Sequence, residues 1–133
     1  MFKRKGSGKS TLVGKRVVSL SLLSQRITQL GTIQEVERFE NGVEYWKVLT
    51  DSGMMEEAPS DRFVLYDGPE FADGDRVRYR LDEGGYWEAV IVKPIWTFDH
   101  LRYVIRVTDG SKAAVKMNAG TEIAEHPAKL SKM

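Results

Sequence analysis

The chain is 133 residues long, enough for one domain of ordinary size or two very small ones. Charged residues at 29% and hydrophobic residues at 41% suit a soluble globular protein, and no apolar run approaches the roughly 20 residues of a spanning helix. With no cysteine, disulfides, thiolate catalysis and sulfur-ligated zinc are excluded, and an intracellular address is expected.

Residues 1–11 read as a flexible basic arm. No apolar stretch of signal-peptide length stands behind residues 1–8, so no secretory leader is expected. The net charge of +1 hides an asymmetry: residues 1–34 carry seven bases (Lys3, Arg4, Lys5, Lys9, Lys15, Arg16, Arg26) and no acid. Residues 35–75 hold twelve acids against Arg38, Lys47 and Arg62. A basic arm points to polyanion contact and an acidic stretch to a basic partner. Within the arm, Gly6-Ser7-Gly8-Lys9-Ser10-Thr11 looks like the end of a phosphate-binding loop. The glycine such a loop needs earlier is Lys3 here, no strand delivers it, and Leu12-Val13-Gly14 leads into a strand pattern instead of a helix. Nucleotide hydrolysis is not expected.

Strand signals then dominate: β-branched and aromatic alternation broken by Gly, Asn and Asp. Strands are expected over 17–23, 31–39, 43–50, 54–58 and 63–66, with turns at Glu40-Asn41-Gly42 and Asp51-Ser52-Gly53. Asp67-Gly68-Pro69 looks like a boundary, because proline removes a ladder donor and glycine permits a turn. Beyond it, 75–81 alternates, with Val77, Tyr79 and Leu81 on one face and Arg76, Arg78 and Arg80 on the other. Asp82-Glu83-Gly84-Gly85 turns the chain into a strand over 86–92. An irregular segment over 93–100 precedes a strand over 103–108, and Val115 and Ile123 sit where further short strands would complete the set.

The halves repeat. Gly14-Lys15-Arg16-Val17 matches Gly74-Asp75-Arg76-Val77, and the run from Tyr45 to Gly53 matches that from Tyr103 to Gly110. Five short strands per copy is the economy of a small SH3-like barrel, and barrels this small should pack together.

No active site is legible. His100 and His126 lack metal-ligand spacing, Glu56-Glu57 and Asp82-Glu83 read as solvated turn charges, and Ser19, Ser21 and Ser24 have no base in the pattern. The aromatics are more informative. Neighbours on a strand point to opposite faces, so one ring each of Tyr45-Trp46 and Tyr86-Trp87 should meet solvent or a partner. Trp96 and Phe98, near Pro94, are poor core candidates too. Rings beside a carboxylate such as Asp109 would bind a methylated ammonium by cation–π attraction.

The second copy (Gly74-Asp75-Arg76-Val77, 85–91 and 103–110) resembles a Tudor domain, and 13–18, 31–33 and 47–53 look like a preceding copy. Together, over about 12–125, they resemble the tandem Tudor modules of DNA-damage checkpoint mediators and related chromatin readers. The resemblance implies a nuclear address in a eukaryote (a cytoplasmic one otherwise) and an aromatic cage for a methylated histone lysine. Carried over by position, the first copy has Ser21, Thr50 and Met54 where the cage expects other residues, and the second has Leu81 at one ring position. The second copy keeps Trp87 and Asp109, with Tyr79, Tyr86, Trp96, Phe98 and Tyr103 as further peptide- or methyl-lysine-binding candidates.

The competing ligand is nucleic acid. Arg76, Arg78 and Arg80, with Lys3, Arg4, Lys5, Lys9, Lys15 and Arg16, form a set of cations suited to phosphates. Arg102 and Arg106 could join from a neighbouring strand, and cross-strand pairing with Glu88 or Asp109 is the bland alternative for the arginines. The expectation is an all-β protein of two tandem small SH3-like (Tudor) barrels packed together: an arm over 1–11, barrels over 12–67 and 68–125, and a tail over 126–133. It is expected to act by binding and not by catalysis, as a monomer, with no cofactor, metal or membrane. The partner would be a histone tail or other basic peptide, with DNA or RNA as the alternative.

Overall fold

The computed structural model describes residues 11–20, 28–97 and 100–133. Among these the chain is all-β, and its only helical pieces are two three-residue 3-10 turns. It divides between Asp67 and Gly68 into two units, each built on one antiparallel sheet of five strands.

In the first unit the strands are Arg16–Leu20 (β1), Thr28–Arg38 (β2), Glu44–Thr50 (β3), Met55–Pro59 (β4) and Phe63–Leu65 (β5). The spatial order is β4-β3-β2-β1-β5, so the last strand returns beside the first. A 3-10 turn, Ser60–Arg62, makes that return. Alternation places Val17, Ile33, Trp46, Val48 and Phe63 in one buried cluster, with Leu12, Val36 and Ala58 packed against it. Trp46 and Phe63 stack at 6.0 Å between ring centroids. The indole N–H of Trp46 donates to Glu44 at 2.6 Å, so a buried ring keeps its one polar atom satisfied.

The second unit has Arg76–Arg80 (β6), Tyr86–Thr97 (β7), His100–Asp109 (β8), Glu122–Glu125 (β9) and Leu130–Lys132 (β10). Its order is β10-β6-β7-β8-β9, the same arrangement with the fifth strand beside the first, again entered through a 3-10 turn, Pro127–Lys129. Its interior holds Val77, Tyr79, Trp87, Ile91, Tyr103 and Ile105, all buried. Among the described residues neither sheet closes on itself by hydrogen bonds: β4 and β5 are the edges of one, β9 and β10 of the other.

The register corrects part of the repeat alignment. In both units the second and third strands are offset by a bulge, after Ile33 in one and after Ile91 in the other. Ile33 pairs with Val48 and Ile91 with Ile105, so Trp46, and not Tyr45, corresponds to Tyr103. Likewise Gly53 donates to Thr50 O as Gly120 donates to Val107 O, so the glycine equivalent to Gly53 is Gly120 and not Gly110. The second unit carries an insertion between these points. Matching Tyr with Tyr and Asp with Asp misled because the pleat, not residue identity, decides which ring faces inward.

Three expected segments differ as well. Residues 93–97 and 100 are strand, because β7 and β8 continue as one long hairpin; Pro94 is tolerated beside the bulge, where the ladder is already interrupted. The expected tail over 126–133 supplies β10, which pairs with β6 from Tyr79 to Val77. Val115 is not in a strand, whereas Ile123 is, in β9. The first strand's expected end at residue 23 lies outside the described residues.

Candidate functional site

β6 alternates strictly: Val77 and Tyr79 are buried, while Arg76, Arg78 and Arg80 are exposed on the opposite face. The strand is hydrogen-bonded on both sides, to β7 and to β10, so the arginine row stands on a fixed backbone. Across the sheet, Arg76 faces Val90, Arg78 faces Glu88 and Arg80 faces Tyr86. Opposed residues share a face, and this outer face also carries Asp109, paired with Glu88, and Arg106, paired with Val90.

The carboxylates on this face are engaged elsewhere. Glu88 binds Lys112 at 3.0 Å, and Glu122 binds Arg106 at 2.8 Å. Asp109 accepts the amide of Ser111 at 2.9 Å and its hydroxyl at 2.6 Å, with the Lys112 ammonium at 3.9 Å. The Ser111 hydroxyl chiefly holds the Asp109 carboxyl below its ordinary range. Hydrogen bonding and attraction from Glu88 raise Lys112. Among the described residues, no carboxylate pairs with Arg76, Arg78 or Arg80. The guanidinium of Arg78 instead lies 4.8 Å from the centroid of the Tyr86 ring.

The expected aromatic cage is not assembled. Trp87 and Tyr79 are buried and stack on each other at 5.3 Å, and Tyr103 is buried with its hydroxyl accepting the Phe71 amide at 3.1 Å. Asp109 lies on the outer face with Glu88, so the strand's alternation separates it from Trp87. The insertion of the second unit accounts for the enclosure of Trp87. Ala113 bridges to Gly85, Gly110 bridges to Met117, and the Trp87 indole donates to Val115 O at 2.8 Å. Trp96 is half-buried on the long hairpin opposite Leu101, and Tyr86 is the one described aromatic among the cage candidates that lies on the arginine face. Phe98 lies outside the described residues.

Of the other cations in the expected nucleic-acid set, Lys15 is exposed. Arg16 is committed to Asp51, through bonds of 2.9 and 2.7 Å, and to Thr32. Lys3, Arg4, Lys5 and Lys9 lie outside the described residues. Arg102 turns to His100, donating to Nε2 at 2.9 Å. Lys112 was not foreseen as part of this face; only its place in the insertion, invisible to the repeat pattern, brings it to Glu88.

On the first unit, several carboxylates gather around one lysine. Lys47 sits 3.5 Å from Glu35 and 3.7 Å from Glu37, with Glu57 facing it from β4. Glu35 chiefly, then Glu57, raise the Lys47 ammonium above its ordinary value. Ser19 donates to Glu56 in a part-buried bond and Ser52 donates to Gln29 in an exposed one, where the second unit has Tyr79 and Trp87 at the places of Ser19 and Gln29.

His100 and His126 lie with rings 5.9 Å apart, but among the described residues no group of three or more metal-ligating side chains forms. No described helix is long and apolar enough to cross a membrane. No family model, curated protein or solved structure matches this chain.

Proposed function

We propose that this chain is a non-catalytic binding module and that the ligand the geometry supports best is nucleic acid, held through its phosphates by the outer face of the second unit. One observation carries the reading: three exposed arginines on one strand face, with no described carboxylate neutralising them. Alternate residues stand about 7 Å apart along a strand, within the roughly 8 Å screening length of physiological salt. Such a row repels itself, and a polyanion lying along it relieves that repulsion. Guanidinium groups also match phosphate oxygens two at a time. The bases of residues 1–11 are a second source of phosphate-attracting charge in the sequence.

The test is fluorescence anisotropy of a labelled oligonucleotide against the wild type and the Arg76→Ala, Arg78→Ala, Arg80→Ala triple variant, across a salt series. The wild type should bind with a steep salt dependence, and the variant should lose up to about one unit of the log–log slope for each phosphate contact removed. Equal affinity and slope for both proteins would exclude this face.

A second reading keeps the basic peptide, such as a histone tail, as ligand of the first unit. It is favoured by the excess of acids over bases in residues 35–75, three of whose carboxylates gather around Lys47. Methyl-lysine recognition would need a cage other than the Trp87–Asp109 pair. The SH3-like strand order of both units supports the resemblance to tandem Tudor readers, and either ligand fits a nuclear address in a eukaryote and a cytoplasmic one otherwise.

A further inference from the structure

We infer that the arginine row takes a single strand in preference to a duplex: Arg76 and Arg80 hold phosphates, and Arg78, lying on Tyr86, is a platform on which an unpaired base stacks. The inference rests on the nucleic-acid reading above and names the class of nucleic acid.

Arg78 differs from its two neighbours in one respect. Its guanidinium lies over the Tyr86 ring at 4.8 Å. A planar cation seated on a ring is restrained in orientation, and it shields one face of that ring while the side chain remains exposed. Neither Glu88 across the ladder, held by Lys112, nor Ser131 on the other side neutralises it. A phosphate contact uses the edge of the guanidinium and needs no ring behind its plane, whereas a base needs a flat surface. Guanidinium planes and aromatic rings are the surfaces on which unpaired bases stack.

Spacing supports the same division of labour. Arg76 and Arg80 flank Arg78 by two residues on each side, about 13 Å apart along the strand. That leaves room for a strand to pass over both flanking cations with a base turned inward between them. In a duplex every base is stacked within the helix, so the Arg78–Tyr86 seat would meet only backbone.

The experiment compares an oligothymidylate, an oligouridylate, an abasic strand and a mixed-sequence duplex of equal phosphate number, at one salt concentration. The proteins are the wild type, Arg78→Lys, Tyr86→Phe and the Arg76→Ala, Arg80→Ala double variant. Arg78→Lys keeps the charge and removes the plane; Tyr86→Phe keeps the ring. The wild type should bind either single strand about tenfold more tightly than the abasic strand or the duplex. Arg78→Lys should erase that preference while leaving duplex affinity within about twofold, and Tyr86→Phe should preserve it. The double variant should weaken all four probes together. A preference for DNA or RNA among the single strands identifies the source of the ligand and leaves the stacking role intact. Equal binding of strand and duplex, or an Arg78→Lys variant indistinguishable from wild type, would overturn the platform while leaving phosphate binding in place. No binding of any probe would overturn both.

Discussion

Ile33 and Ile91 hold the same place in their two units. Each amide donates to the residue after a left-handed glycine, to Lys15 O at 3.0 Å and to Asp75 O at 2.9 Å. Each carbonyl accepts from that glycine, from Gly14 N at 2.8 Å and from Gly74 N at 2.7 Å. Both side chains are buried at the centre of their own core, and each begins the bulge that bends its strand. Ile91→Ala should therefore destabilise the second unit by about 2–5 kcal/mol, while Ile91→Val costs about 0.5–1.5 kcal/mol. Urea unfolding followed by tryptophan fluorescence measures both; near-equal midpoints for the two variants would contradict a packed site.

The insertion over 108–119 is held to the β6–β7 turn at Gly85. Gly85 has φ +81°, and a Cβ there would lie 2.8 Å from Ala113 Cα; Gly84 has φ +105° with open space around it. Both glycine-to-alanine changes incur the left-handed strain of about 1–2 kcal/mol. Gly85→Ala adds a backbone clash, so it should be the more damaging and should loosen the insertion. Thermal melts of the two variants rank them, and a milder Gly85→Ala would show that the insertion is not anchored there.

The indole of Trp87 reports on that anchoring directly. Trp87→Phe removes its bond to Val115 O and part of a buried ring's volume, and should cost more than the roughly 0.5–1.5 kcal/mol of the bond alone. Hydrogen exchange of the indole N–H in the wild type should be slowed; free exchange would mean the ring is not enclosed.

Stability should fall at both pH extremes for identifiable reasons. Burial first, then the Glu125 carboxylate, raise the Tyr79 phenol above its ordinary value. The folded state thus favours the protonated form: this stabilisation is complete below about pH 10 and is lost as pH rises through the folded value. At the acid end, the Trp46 indole bond first, and then Arg38, lower Glu44, so its contribution is present above the ordinary carboxylate value and is lost as pH falls through the folded one. Denaturation midpoints of Tyr79→Phe and Glu44→Gln against pH check this. Each variant should flatten one limb of the profile and leave the other unchanged.

Most of the fold was legible because strand signals are local: alternation, turn glycines and β-branched runs need no long-range knowledge. The arginine row was legible for the same reason, since period two alone places Arg76, Arg78 and Arg80 together. What was not legible depended on pairing. The 126–133 segment looked like a tail because Leu130 is a lone apolar residue whose place is set by β6. Trp87 and Asp109 looked like neighbours because the turn signal Asp109-Gly110 concealed an insertion, and the ladder puts them on opposite faces.

The most direct test of the arginine face is NMR of the protein with labelled backbone amides and arginine Nε–Hε groups, titrated with an oligothymidylate. The expected result is perturbation of the Arg76, Arg78 and Arg80 side-chain signals and the Tyr86 amide, with Arg16 side-chain signals, tied to Asp51, nearly still. Perturbation confined to residues 28–67, or none at any concentration of the strand, would contradict a phosphate-binding role for this face.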